Sequence, residues 1–275
     1  YFISVVTIDE LIDAVTCARE SSLPYIVIGG ATQCVFSDFG YSGVVIENRA
    51  EGYVFVDSKS QIIVQSGASA RSIAFAAASH DFGGLEFLAS YSGSIGGAVY
   101  SNYKADNTNF HTMGFVRSSA INDYCKKITV CNKQSELVTY NPSWLRSENR
   151  STRLRNLFRE TILLTMTFQL FGSKKEDIVR KLSLYSAQYF TNKALSSMVF
   201  VDPPTSSAKE LIVRSGAIKM RIGNARLCKE SPNKIRTVGD AQAADVRLLI
   251  DSVRQRVFEK CNVMLEDALD FIGEW

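Results

Sequence analysis

Residues 27–33, VIGGATQ, and residues 84–99, GLEFLASYSGSIGGAV, each close an apolar run with a glycine-rich turn. Gly29, Gly30, Gly93, Gly96 and Gly97 lack bulk and tolerate positive φ, so backbone N–H groups beside them can turn outward and approach an anion closely. Ala31, Thr32, Gln33, Ser92, Ser94 and Ile95 complete the loops, and the hydroxyls of Thr32, Ser92 and Ser94 add donors suited to pyrophosphate oxygens. Together the two loops would clamp a diphosphate. Taken singly, either could be a tight turn that only lets strands pack closely.

The elements around the loops decide which dinucleotide site this is. Residues 25–28 read as a short strand entering the first loop, and the turn 38–43, DFGYSG, leads into Val44, Val45 and Ile46. A Rossmann site needs its G-x-G-x-x-G to open a helix, whereas the order here is strand, loop, strand. Further strands are predicted over 52–56, 61–66, 115–117, 127–131, 136–140 and 161–171. Leu11, Ile12, Ala14, Val15 and Ala18 at helical spacing, with Asp9 and Glu10 early, predict a helix over 7–20, and an alanine-rich helix is expected over 70–80. After Gly172 the pattern changes to a polar helix opening at residues 174–177, a loop over 194–204, and amphipathic helices over 208–215 and 243–260. The expected division is 1–172 and 173–275.

At 275 residues with 46% hydrophobic composition the chain can bury a full core, and 31 basic against 28 acidic residues leave only +3. That balance argues against nucleic acid or a membrane surface as the main partner and leaves anionic small molecules open. No apolar stretch approaches the roughly 20 residues of a membrane span, and no basic leader is present, so a cytoplasmic protein is expected. The chain starts in a strand-like run without methionine, which predicts a segment upstream. Cys17, Cys34, Cys125, Cys131, Cys228 and Cys261 form no C-x-x-C pair and read as buried free thiols. His80 is expected to cap a helix, His111 has no matching ligand set, and no metal is expected. Trp144 and Trp275 read as packing residues.

The two loops, followed in order by FVDP at 200–203, SAKELI at 207–212, GAIKMRIGNA at 216–225 and LEDALDFIG at 265–273, resemble the UDP-N-acetylenolpyruvoylglucosamine reductase family. The match runs over 7–273, and residues 84–102 follow the family pattern GLEFLAGIPGTVGGAV-x-x-N, Asn102 included. The resemblance implies a two-domain α+β protein: an FAD-binding domain of the vanillyl-alcohol-oxidase (PCMH) type, then a smaller α/β substrate-binding domain. It implies FAD and NADPH as cofactors and a UDP-linked enolpyruvyl sugar as substrate, reduced to UDP-N-acetylmuramate for peptidoglycan. In that family hydride passes from NADPH through the flavin to the enolpyruvyl C3, and an acid protonates C2.

Several positions depart from the family pattern. Ala31, Thr32 and Gln33 replace its Gly, Ser and Asn, and Ser92 replaces Pro. Its proton-donor serine, in G-S-x-F-K-N-P, falls on Met198, with Val201 and Asp202 for Lys and Asn; a thioether cannot donate a proton. Ser197 is the adjacent hydroxyl, although one step along an extended segment reverses a side chain's direction. The family's catalytic glutamate, in L-E-P-E-V, falls on Ala268, and Glu266 is the nearest carboxylate. In the S-E-K-H-A-N-F stretch, Cys228 stands for the serine and Ser231 for the histidine, while Asn233 remains. The arginine of Y-R-x-S, which supports the enolate, matches Arg150, with Asn149 for the tyrosine; Arg146, or a surface cluster with Arg153 and Arg155, is the alternative. Lys219 and Asn233 are where the family holds substrate. Two rivals follow: a non-catalytic relative that keeps the scaffold, and an oxidase that uses Cys34 as a flavin link.

Overall fold

The computed structural model describes residues 1–105, 120–148, 150–157, 160–192, 197–204 and 206–275. The predicted strand 115–117, His111 and Asn149 lie outside the described residues, as does part of the 194–204 loop. The chain forms two compact units, Tyr1–Gly30 with Gly43–Thr191, and Ala31–Ser42 with Asn192–Trp275.

In the first unit the strands Phe2–Val5, Val44–Asn48 and Tyr25–Ile28 form a parallel sheet in that order. The helix Ile8–Glu20 begins at a capping box, in which Thr7 Oγ1 accepts from Glu10 N at 3.1 Å and Glu10 Oε2 accepts from Thr7 N at 3.3 Å. Its buried stripe of Leu11, Val15 and Ala18 packs with Val5 and Ile46 of the sheet. A second, five-stranded antiparallel sheet runs Tyr53–Val56, Gln61–Gln65, Ile162–Gln169, Cys125–Cys131, Leu137–Tyr140. Ile162, Leu164, Met166 and Phe168 are buried at every second position, as a half-buried strand requires. The helix Lys175–Asn192 contributes Ile178 and Leu182 to the same core as Ile62, Leu88 and Met166. That packing places the helix in the first unit, so the compact unit ends well beyond the expected change at Gly172. His80 is the C-cap residue of the helix Ala70–Ser79 and stacks on Phe55 at 3.9 Å. Trp144 packs flat on Tyr140 at 4.4 Å.

The second unit holds the helices Ala208–Arg214 and Ala243–Cys261 and the small sheet Arg221–Ile222, Ala225–Leu227, Ile235–Thr237. Residues 31–42 join it although they lie far earlier in the chain. Cys34–Phe36 pairs in parallel with Asp270–Ile272, and Asp38 caps the helix Ala243–Cys261 by accepting from Ala243 N at 2.8 Å and Ala244 N at 2.9 Å. A three-residue strand carries no local sign of a partner so distant in sequence, so this excursion is invisible to periodicity.

Among the described residues no helix is long and apolar enough to cross a membrane, and no group of three or more His, Cys, Asp or Glu is placed to hold a metal. Burial pushes the Cys34 thiol up to about 12, with Asp270 adding to the rise. Burial likewise raises Cys125 to about 12, partly offset by the backbone at Lys127 and Lys126. Both thiols start from 9.0 in the unfolded chain, which therefore loses its protons first. Stability from them is complete below pH 9 and declines between about 9 and 12, by up to about 1.4 kcal/mol per pH unit for each thiol. Urea unfolding at about pH 8 and about pH 10.5 checks this; an unchanged free energy contradicts it.

Candidate functional site

The strand Tyr25–Ile28 delivers Gly29 to the end of the parallel sheet, and there the two glycine loops meet. A Cβ built on Gly29 would overlap Ser94 Oγ and come within 2.9 Å of Ser94 Cβ. Ser94 is held from below: its Oγ accepts from Gly97 N at 3.2 Å, Ile95 N donates to Ala68 O at 2.8 Å, and Gly96 N donates to Ser66 O at 2.8 Å. The Ile95, Gly96 and Gly97 amides are therefore engaged within the fold. Gly96 is required by close approach, because a Cβ there would sit 2.8 Å from Ser66 O. In the first loop Ala31 takes a left-handed backbone, φ 50, and Gln33 O accepts from Asp270 N at 2.9 Å. Gly29 and Gly30 belong to the first unit, and Ala31, Thr32 and Gln33 to the second.

Arg150 sits on a clamped turn of the first unit. Its backbone is left-handed, φ 58, between Glu148 and Ser151, which bridge through Glu148 N to Ser151 O at 3.0 Å. Asn102 Nδ2 donates to Glu148 O at 2.8 Å, Asn122 Nδ2 to Ser147 Oγ at 2.9 Å, and Thr152 Oγ1 to Tyr100 O at 2.7 Å. The guanidinium itself donates to Lys104 O at 2.5 Å. A non-glycine residue held left-handed by so many bonds is a local cost that the surroundings impose. Arg146, the alternative, also has a left-handed backbone, φ 46, but is exposed at the end of a short 3-10 turn. Asn102 Oδ1 is buried and finds no partner among the described residues. A buried acceptor without a donor is costly, and a cofactor N–H or hydroxyl would satisfy it.

In the second unit the segments that carry Met198 and Ala268 adjoin. Ala268 N donates to Val199 O at 2.8 Å and Val201 N to Glu266 O at 2.9 Å, with Phe200 bridged to Asp267. Met198 and Ala268 thus lie on neighbouring segments, and neither side chain bears a transferable proton. Ser197 is half-buried beside Met198, and Glu266 is exposed. Asn233, expected to hold substrate, is 5% exposed, and its amide is committed to the backbone: Oδ1 accepts from Phe200 N at 2.9 Å and Nδ2 donates to Phe200 O at 2.8 Å. These two bonds fix the segment that follows Met198.

Lys219 lines a cavity of about 260 Å³, with Arg221, Arg226, Lys229 and Arg236 around it and Glu230 as the carboxylate. Cys228 donates its thiol proton to Glu230 Oε2 at 3.0 Å, and this bond, with the Glu230 amide and the nearby Arg236 and Lys229, holds the Glu230 carboxyl below its usual range. Arg236 Nε is buried without a partner among the described residues. The cavity suits an anion. Sequence reasoning found Lys219 alone; the run of basic residues between 219 and 236 is the signal it passed over. It also missed Asn122 and Thr152, which have no motif and act only through position.

Within the first unit Gly29 meets the second loop at Ser94, whose side chain takes the space that a side chain at position 29 would need. The class is that of an FAD-binding domain, whose family profile matches residues 1–141. A profile of the C-terminal domain of UDP-N-acetylenolpyruvoylglucosamine reductase matches residues 190–272. The reductase of Lachnoclostridium phytofermentans is 30% identical over 100% of this chain and 87% of its own length. That of Caldicellulosiruptor saccharolyticus is 29% identical over 100% of this chain and 86% of its own. The chain belongs to the UDP-N-acetylenolpyruvoylglucosamine reductase family. The crystal structure of the Thermus caldophilus enzyme superposes with a TM-score of 0.74 at 24% identity, over 98% of this chain and 92% of that one, so the two-domain α+β fold is shared.

Proposed function

We propose that the chain is an FAD-dependent reductase that uses NADPH to reduce a UDP-linked enolpyruvyl sugar to UDP-N-acetylmuramate, in the cytoplasmic supply of peptidoglycan precursors. The observation that supports the reading is the approach of Gly29 to Ser94, which brings the loops together where we assign the diphosphate. Bound FAD would supply the hydride chemistry. The protein's own contributions are positional and electrostatic. With the amides of residues 95–97 engaged inside the fold, those of Ser92, Gly93 and Ser94 are the donors we assign to the diphosphate. Thr32 and the Gln33 side chain extend the first loop, and Asn102 Oδ1 accepts from the cofactor. Arg150 places positive charge where the enolate develops, Lys219 and its cationic cavity hold the substrate's phosphates, and Asn233 supports the site through Phe200. Ser197 or Glu266 delivers the proton in place of the groups absent at Met198 and Ala268.

The experiment is spectroscopic. Purified protein should show, or acquire on adding FAD, the visible flavin band, lose it on anaerobic mixing with NADPH, and regain it on adding the UDP-enolpyruvyl sugar. Failure to take up FAD contradicts the reading. A second reading, a flavoprotein that has lost the final proton transfer, is favoured by the thioether of Met198 and the methyl of Ala268. It predicts bleaching by NADPH without recovery on adding the sugar.

A further inference from the structure

We propose that Tyr103 is a positioning residue, whose ring is set between the second glycine loop and Arg150 and fixes where the guanidinium stands. The inference rests on the flavoprotein reading above and goes beyond it, since neither motif nor family pattern points to Tyr103.

The contacts form a continuous path within the first unit. Tyr91, at a position where the family pattern has isoleucine, lies so close over the loop that a Cβ on Gly93 would be 2.7 Å from its Cε1 and 2.8 Å from its hydroxyl oxygen. A Cβ on Gly97 would be 3.3 Å from the same oxygen. The Tyr91 ring packs on the Tyr103 ring at 4.3 Å, tilted 38°, and Tyr103 stacks at 6.3 Å on Phe87. Ser90 Oγ gives its only proton to Phe87 O at 2.8 Å, so the Tyr103 hydroxyl is the donor in its 2.9 Å bond to Ser90. Both ends of the Tyr103 ring are thereby located. The Arg150 guanidinium carbon lies 5.4 Å from the centre of that ring, inside the range at which a cation is drawn to an aromatic face. A second restraint is its bond to Lys104 O, which belongs to the residue next to Tyr103. Any shift of Tyr103 therefore moves both the ring and the carbonyl that hold Arg150. A cation held near bound flavin favours the more negative reduced form, so its placement is read out in the flavin's midpoint potential.

The test uses the FAD-loaded protein and compares Tyr103→Phe, Tyr103→Leu, Arg150→Met and the Tyr103→Leu/Arg150→Met double variant. Expected are a lowered midpoint potential for Arg150→Met, a shift in the same direction for Tyr103→Leu, a wild-type value for Tyr103→Phe, and no further drop in the double variant. A structural role alone would not make the Tyr103 effect vanish when Arg150 is gone. The proposal is overturned if Arg150→Met leaves the potential unchanged, if Tyr103→Leu leaves it at the wild-type value, or if the two drops add. Should Tyr103→Leu not fold, Tyr91→Leu breaks the same stack one step away and must shift the potential in the same direction, or the proposal fails. Wild-type protein that takes up no FAD is a different outcome, which removes the flavoprotein reading on which the inference stands.

Discussion

Gly29→Val is expected to weaken FAD binding by about 100- to 10,000-fold while leaving the protein folded. The valine Cβ enters the space of Ser94, and its two methyl groups extend further into the gap between the loops. Ser94 cannot simply withdraw: its Oγ caps Gly97 N, and its neighbours are pinned through Ile95 N to Ala68 O and Gly96 N to Ser66 O. The loops must then part. Losing two hydrogen bonds to a charged diphosphate, each about 1.5–3 kcal/mol, corresponds to the stated range in dissociation constant. Gly172→Ala is the control, since nothing lies within 4 Å of a Cβ at Gly172, and FAD affinity should hold within about twofold. Equilibrium titration with FAD, followed by flavin fluorescence, measures both. Wild-type affinity in Gly29→Val would mean that the diphosphate lies elsewhere.

Met198→Ser combined with Ala268→Glu is expected to raise the rate at which the UDP-enolpyruvyl sugar reoxidises the NADPH-reduced holoprotein by about 100- to 10,000-fold, the usual contribution of a positioned general acid. The scaffold that would present the restored groups is intact, because the segments around residues 199–201 and 266–268 are bonded through Ala268 N to Val199 O and Val201 N to Glu266 O. Ala268 is 6% exposed, so a glutamate there would have its carboxyl pushed upward by burial, which favours the protonated form a proton donor needs. Each single change should give less than the pair. Anaerobic stopped-flow mixing separates this step from flavin reduction, whose rate should not move. An unchanged reoxidation rate in the double variant would show that these two positions do not limit the chemistry, and would favour Ser197 or Glu266 as a competent donor.

The elements with a strong local period were legible. The strand at Tyr25–Ile28, the capped helix Ile8–Glu20 and the helices Ala70–Ser79 and Ala243–Cys261 lie within a few residues of their expected spans, because alternation, caps and apolar stripes are written in adjacent residues. The excursion of residues 31–42 into the second unit and the helix after Gly172 packing into the first were not, since each depends on partners far away in sequence. The site divides in the same way. That Gly29 and Gly96 permit close approach could be read from type and spacing alone, whereas the engagement of the Ile95 and Gly96 amides depends on Ala68 and Ser66 in another element. Asn233 shows the limit of motif reasoning: its identity was kept, but its amide faces Phe200. Tyr91 and Tyr103 matter only through the ring geometry that joins them, which no spacing encodes.

The central claim is that the amides of two separate glycine loops hold one diphosphate. Amide hydrogen exchange, resolved to single residues and recorded with and without FAD, tests it directly. The account predicts slowed exchange at Gly29 and Gly30 together with Ser92, Gly93 and Ser94, at the same FAD concentration midpoint. Protection confined to one loop, or to neither while FAD is bound, would contradict it.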